Sequence, residues 1–284
     1  MAHPQIAIFA RLAKGGDAPQ RLIFGQASKV SRTMHAIRYN EKRDEFYVGN
    51  PFAQALLTFR GGANGQEAPL RTIQGPKTTL ESPDTLEVDP VHEEIISPEL
   101  DRVLVFPLAA NGDVAPLRVF RSPAKNGWRA AGGIAVDPVH NVLVLAGTVL
   151  GDAKAGYSSP YGDRREALLI FDRLATGEVQ PLRVIRGPKT GMHAIRQMEI
   201  QPQGGWLVIS QMTSGEIPEP EGTFVGVWSI HDSGDVPPRW KIEGKPGNSM
   251  KKPHGIALNP NHKEVVVADM RLNALLTFYF PEIF

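Results

Sequence analysis

The sequence contains no cysteine, no long apolar run and no excess of charge of one sign. Without cysteine, the 284-residue chain has no disulfide, no thiolate metal ligand and no cysteine nucleophile. Thirty-one basic and thirty acidic residues leave a formal net charge of +1, which provides no field to attract nucleic acid or an anionic membrane. No segment approaches the roughly 20 apolar residues of a membrane-spanning helix. The start, MAHPQIAIFAR, lacks signal-peptide features, so we expect a cytoplasmic protein or a mature secreted or periplasmic form.

Several enzyme motifs are missing as well. The sequence has no G-x-G-x-x-G opening a helix, no P-loop and no G-x-S-x-G elbow, so it gives no support to a nucleotide-binding or α/β-hydrolase function. A hydrophobic content of 42% is enough for a sizeable core. The 24 prolines and 28 glycines predict many turns rather than long helices.

The chain does contain an internal repeat of four short apolar segments, which we call a, b, c and d. The a segments alternate apolar and variable residues, the period of a β-strand, and end in a turn. They occupy 35–40, 84–90, 132–138, 196–202 and 254–260. The b segments follow directly, as in EFYVGN and WLVISQ. The c segments lie at 6–9, 55–59, 103–106, 168–171, 225–228 and 275–278.

A recurring phrase, such as NGDVAPLR at 111–118, connects each c segment to a d segment. We interpret it as a tight c-to-d turn whose proline begins an outer strand, where a missing N–H is tolerated. An arginine starts the d segment at 21, 71, 118 and 183. We expect this arginine to be structural and to reach an aspartate or the carbonyls of a neighbouring turn.

Four strands in about 50 residues cannot bury both faces of their own sheet, so the units must stack on one another. Radial stacking of such sheets gives a β-propeller. The sequence therefore predicts a single all-β domain over 1–284, a β-propeller of four-stranded antiparallel blades.

Five a segments predict five blades, with six blades or an incomplete ring as alternatives. The termini are expected to close the ring, with the N-terminal d strand (20–25) outermost on the last blade. The six c segments then leave one surplus, either IAIF or LLTFYF. A surplus strand could pair within the molecule or make a homo-oligomer.

The segments "GIAVDP", "VLVLA", "LLIFDR" and the G-D-V-x-P-L-R turn resemble the NHL-type repeat of lactonase-like and strictosidine-synthase-like propellers. The resemblance covers almost the whole chain. It implies the fold, but that superfamily includes binding modules, scaffolds, lactonases and lyases. The Glu, Asn and Asp ligand set of the lactonase-like members does not map onto this sequence. The amidating lyases use three zinc-binding histidines, whereas the corresponding ring here supplies two.

The first residues of the a segments form a predicted ring at the channel mouth, namely His35, Asp84, Gly132, Arg196 and His254. His254, His35 and Asp84 would be consecutive, and two imidazoles with a carboxylate are ligands of an open divalent metal site. Arg196 could then hold an anionic ligand. The same four ionisable residues are the candidate catalytic groups. The alternative is a structural role, with these side chains bonded to carbonyls and water.

Two long b-to-c loops, 147–167 and 211–223, are predicted on the same face. Long loops on a rigid scaffold are often functional. The candidate binding residues are Tyr157, Tyr161, Arg164 and Arg165 in the first loop, with Arg196 and with His193, which could overhang the mouth. Tolerated insertions or a subunit contact are the alternatives.

The leading functional hypothesis is a non-enzymatic binding or scaffold module that takes a protein, peptide or glycan partner on this face and requires no cofactor. The alternative is a metal-dependent, lactonase-like hydrolase or lyase at the channel mouth, with a divalent metal ion as its cofactor. A structural repeat in an extracellular assembly is a third possibility.

Overall fold

A computed structural model describes residues 4–32, 34–150, 166–212, 222–244 and 250–284. These residues form β-strands and turns, and their only helices are single 3₁₀ turns. These are Gln26–Ser28, Pro51–Ala53, Pro76–Thr78, Pro188–Thr190 and Pro281–Ile283. The all-β prediction is therefore confirmed. None of the described helices has the length and hydrophobicity needed to cross a membrane.

The chain divides into two compact units, residues 1–99 with 104–118 and residues 100–103 with 119–284. The strands before the third a segment are β1 (Gln5–Ile8), β2 (Arg21–Phe24), β3 (Ile37–Asn40), β4 (Glu45–Asn50), β5 (Ala55–Arg60), β6 (Arg71–Gln74), β7 (Glu87–Asp89), β8 (Glu94–Pro98), β9 (Arg102–Pro107) and β10 (Arg118–Arg121). The later strands are β11 (Trp128–Asp137), β12 (Val142–Val149), β13 (Ala167–Asp172), β14 (Gly177–Glu178), β15 (Arg183–Ile185), β16 (Ile195–Gln201), β17 (Trp206–Gln211), β18 (Phe224–Ser229), β19 (Trp240–Glu243), β20 (Pro253–Asn259), β21 (Glu264–Asp269) and β22 (Ala274–Tyr279).

The sheets reproduce the predicted order a-b-c-d, and neighbouring strands along the chain pair antiparallel. Four sheets carry the full set, β3 to β6, β7 to β10, β11-β12-β13-β15 and β16 to β19. The short strand β14 adds to the second of these sheets, parallel to β10. The last a segment forms the three-stranded sheet β20-β21-β22. These are the five blades of the β-propeller fold, as predicted.

Apolar side chains on both faces of the blades form the core. In the first unit, Ile23 of β2 packs with Val48 and Leu57 of the next blade. In the second unit, Ile170 and Trp228 belong to one cluster that joins two neighbouring blades. A blade therefore buries the faces of its sheet against neighbouring blades. This burial explains why some strands carry apolar side chains on one face of the sheet and others carry them on both.

The repeated c-to-d phrase does more than turn the chain, because its glycine bonds to the d strand of the preceding blade. Gly65 donates to the Leu22 carbonyl over 2.7 Å and accepts from the Phe24 N–H over 3.0 Å. Gly112 and Gly234 make the same pair of bonds to the d strands β6 and β15. These three copies of the phrase therefore link their blades to the preceding ones.

The residues beside that glycine add side-chain bonds across the same junction. The Asn111 side chain accepts the Thr72 N–H over 2.9 Å, one residue before Gly112. One residue after it, the Asp113 carboxylate accepts the Lys77 N–H over 2.7 Å. The Asn and Asp side chains that flank Gly112 thus satisfy backbone donors at the outer edge of the preceding blade.

The structural role predicted for the d-strand arginines is confirmed. Arg21 donates to the carbonyls of Gly61 and Ala63 in the neighbouring turn. Arg71 instead makes a bidentate pair with Glu45 of its own blade, as Arg118 does with Glu94. Burial raises the pKa of Glu45, but hydrogen bonds from Arg71 and Tyr47 outweigh that effect and hold the pKa below its usual value.

The N-terminal d strand β2 pairs with the N-terminal c strand β1. Of the two segments that the sequence left as candidates for the surplus strand, IAIF therefore has a d-strand partner, and the placement of 20–25 outermost on the last blade stays a prediction. Ile6 lies opposite Ile23, as Leu56 lies opposite Ile73 in the first complete blade. β1 therefore occupies the c position beside β2, and β22 is left as the edge strand of a three-stranded sheet.

Candidate functional site

In the first unit, the structure brings together two of the predicted ring residues, His35 and Asp84. The His35 N–H donates to the Asp84 carbonyl over 3.1 Å. Their side chains face each other with 3.5 Å between Nδ1 and Oδ2, and they are 42% and 45% exposed. Both line a depression of about 200 Å³, together with Pro51, Phe52 and Ser82. An imidazole and a carboxylate are thus adjacent and accessible.

Buried groups hold the Asp84 side of this pair in place. The Glu99 carboxylate accepts the N–H groups of Glu81 and Ser82 over 3.1 and 2.9 Å. Gly49 allows the loop to approach closely, because a Cβ atom there would lie 2.1 Å from the Pro83 carbonyl oxygen. The loop that presents Asp84 is therefore fixed by one buried acid and one missing side chain.

The His35 side is held by Asn50, the last residue of β4. Its amide donates to the Lys29 carbonyl over 2.8 Å, and its oxygen accepts from the Ser31 hydroxyl over 2.7 Å. The same oxygen accepts the Ala53 N–H over 3.1 Å. Because Asn50 is buried, these bonds tie the segment before His35 to the blade's second strand.

The other three predicted ring residues, Gly132, Arg196 and His254, lie in strands β11, β16 and β20 of the second unit. A Cβ atom on Gly132 would lie 3.5 Å from the Ile195 carbonyl oxygen and 3.8 Å from that of Arg196. On the next strand, the His254 carbonyl accepts from the Ser210 hydroxyl over 3.1 Å. Arg196 and His254 are half-buried. The order Gly132, Arg196, His254 along neighbouring strands is the order expected from the repeat.

The histidine expected to overhang the mouth, His193, is fully buried instead. Its N–H donates to the Gln211 side chain over 2.8 Å, and its Nδ1 lies 3.2 Å from the Gly191 carbonyl oxygen. Burial lowers the pKa of His193, and the Gly191 bond only partly opposes that effect. His193 therefore does not overhang the mouth, and its predicted role in binding stays a prediction.

A polar residue at the end of the b strand is the feature that sequence reasoning missed. Asn50, Glu99, Gln211 and Asp269 occupy equivalent positions, and each bonds to the loop leading into its own a strand. In the third blade this position is Gly147, and there the loop is held by an extended β11. The sequence does carry this feature, because a polar residue follows the apolar part of the b segment in four of the five copies.

In the two repeated D-P-V-H turns, the histidine contacts the aspartate of its own turn. Asp89 is buried and accepts two backbone N–H groups, and its second oxygen lies 2.7 Å from His92 Nδ1. Asp137 and His140 repeat this arrangement over the same 2.7 Å. These carboxylates are engaged in holding the a-to-b turns.

Across the described ranges, no group of three or more His, Asp or Glu side chains is close enough to hold a metal ion. His35 and Asp84 supply two donors of the right chemical type in the first unit. The metal site predicted from His35, Asp84 and His254 stays a prediction.

The predicted binding residues Tyr157, Tyr161, Arg164 and Arg165 lie outside the described residues, as does 213–221. The structure does describe the ends of both long loops. Gly147 pairs with Ala167, and Gln211 pairs with Phe224. Both loops therefore begin and end on paired strands of adjacent blades.

No protein-family model matches the chain, and no curated protein matches it. Among many solved structures that do match is hydrazine synthase of Kuenenia stuttgartiensis, with a TM-score of 0.51 and 13% sequence identity. The match covers 86% of this chain and 64% of that chain. A likeness at this identity concerns the fold alone, and the NHL-type or lactonase-like resemblance stays an expectation. The chain is thus an all-β protein of the β-propeller fold.

Proposed function

We propose that this protein is a non-enzymatic binding module that takes a protein, peptide or glycan partner on the surface from which the 147–167 and 211–223 loops emerge. The observation that carries the proposal is that both ends of each loop are anchored in the scaffold. Both start and end on buried, paired strands of adjacent blades of the second unit. A scaffold of this kind fixes the ends of a recognition loop, so those ends need no further ordering on binding.

Buried side chains also form hydrogen bonds at the bases of the two loops. Gln211 is fully buried and donates to Gly222 over 3.1 Å and to Gly191 over 2.8 Å. One bond spans the base of the second loop, and the other reaches the segment before Arg196. At the base of the first loop, the buried Glu166 carboxylate accepts the Ile195 N–H. The loop bases and the Arg196 strand thus form one connected framework, which supports a shared binding surface.

Loop shortening tests the proposal. We would replace 151–165 with a short Gly-Ser linker in one variant and 213–221 in another, and compare quantitative affinity capture with wild-type protein. Leu182→Ser is the matched control, because Leu182 is 61% exposed in a c-to-d turn. The wild type and the control should retain a partner that the loop variants lose. Identical capture by all four proteins would contradict the proposal.

A metal-dependent hydrolase or lyase is the second candidate, favoured by the adjacency of His35 and Asp84. We would measure metal content in protein purified without a chelator or metal-affinity step, and then screen esters and lactones. This candidate predicts about one equivalent of metal, lost in His35→Ala and kept in the exposed control His262→Ala. Metal-free protein that hydrolyses neither substrate class would remove this candidate.

A further inference from the structure

The pentapeptide ALLTF occurs twice in the chain, at 55–59 and at 274–278, with different surroundings. In the first copy, β6 pairs with the outer edge of β5, and Leu56 is 2% exposed. In the second copy, β22 pairs only with β21 among the described strands, and the equivalent Leu275 is 59% exposed. The same residues are covered in one blade and uncovered in the other.

The backbone groups left on this edge can be identified from the other blades. In β5 the Thr58 carbonyl accepts the Leu70 N–H over 2.7 Å. The carbonyls of Ile8, Val105, Ile170 and Val227 accept equivalent bonds in the other c strands. Thr277 holds this position in β22, and no described N–H donates to its carbonyl. Because both backbone groups of a residue point the same way in an antiparallel pair, the Thr277 N–H faces outward too.

The composition of β22 is that of a covered strand. Natural edge strands carry charges or proline that discourage further pairing. Every outer d strand of this chain has at least one Lys or Arg, as in RLIF, RTIQ, RVFR, RVI and WKIE. β22 reads ALLTFY and has none. Tyr279, at its end, is 72% exposed.

We propose that the outer edge of β22 pairs with β22 of a second copy of this chain, antiparallel and around a two-fold axis. Within the described part of the chain, every d-type strand is already paired with its own c strand, from β2 on β1 to β19 on β18. A second β22 offers an equally uncharged edge, so no like charges would lie opposite each other.

Charges flanking the strand favour the antiparallel direction. Arg271 precedes β22 and Glu282 follows it. Antiparallel pairing that sets Leu275 opposite Tyr279 of the second copy, with Thr277 on the two-fold axis, brings each Arg271 end to a Glu282 end. Parallel pairing would bring like charges together. The two-fold arrangement uses the same surface on both copies and closes at a dimer.

Sedimentation velocity of the full chain tests the pairing, with Thr277→Pro compared with its matched control Thr277→Val. Proline removes the outward N–H without removing a bond to β21, whereas valine keeps it. A strand-edge interface is small, so the series should extend to about 100 µM. We expect dimers for wild type and Thr277→Val. The dimer dissociation constant of Thr277→Pro should be at least about tenfold higher.

Wild-type protein that stays monomeric, grows beyond a dimer, or dimerises equally well as Thr277→Pro would overturn the proposal. If Thr277→Pro does not fold, hydrogen exchange on the wild type decides instead. The amides of Leu275 and Thr277 should become more protected as concentration rises. Protection that is independent of concentration would overturn the pairing.

Discussion

Single buried polar residues decide where the loops of this protein lie. Gln211 spans the base of one long loop, and Glu99 accepts two N–H groups in the segment before Asp84. Each is an interior side chain whose removal would leave buried backbone groups without partners. The His35–Asp84 pair is therefore presented by side chains that do not contact the depression themselves.

His193 should make stability depend on pH. Burial lowers the pKa of His193 in the folded state below its ordinary value. Between the folded and the unfolded pKa the folded chain therefore binds fewer protons than the unfolded chain. The neutral His193 side chain consequently contributes to stability above the unfolded pKa, and this contribution is lost as the pH falls through the folded pKa. Denaturant titrations at several pH values should show a free energy of unfolding that decreases below about pH 6.5.

The variant His193→Gln should flatten that decrease, because glutamine does not titrate. His262→Gln is the control, since His262 is exposed and should leave the slope unchanged. An equally steep decrease in His193→Gln would assign the pH dependence to other groups.

At the scale of the element, the c-to-d turn is the unit that links blades. Its glycine needs a positive φ, 81° at Gly112 and 78° at Gly234, while its backbone bonds to the preceding d strand. The repeated c-to-d phrase therefore reflects a junction between blades as well as a tight turn. Sequence reasoning recognised the turn, but the partner strand lies some 40 positions away in the chain, as Thr72 does from Asn111.

Substituting the turn glycine should cost stability through backbone strain alone. A Cβ atom on Gly112 would meet no heavy atom within 4 Å, so Gly112→Ala tests the positive φ without a clash. We expect a loss of roughly 1–2 kcal/mol in the free energy of unfolding. Gly16→Ala is the control, because Gly16 is equally unobstructed and lacks a positive φ. Equal effects of the two variants in urea titrations would contradict this explanation.

At the scale of the whole molecule, charge balance governs how copies meet in solution. The formal net charge is +1 at pH 7 with histidine neutral, so long-range repulsion between copies is weak. The sequence contains eight histidines, and imidazole side chains gain positive charge on acidification. Solubility should therefore be lower at about pH 8 than at about pH 5.5.

Static light scattering across this pH range checks the effect of charge. The second virial coefficient should become more positive towards acid pH, and added salt should reduce the difference by screening. A coefficient that falls on acidification would show that attraction between surfaces, rather than net charge, dominates.

The sequence by itself determined the repeat, the strand order within each blade and the structural role of the arginines at 21, 71, 118 and 183. These features are local, because alternation and turn residues are legible within a few positions. Only the tertiary structure decided that β2 pairs with β1, that His193 is buried and that one ALLTF is covered while the other is exposed. Strand pairing and burial depend on segments far apart in the chain, and identical letters acquire different surroundings for that reason.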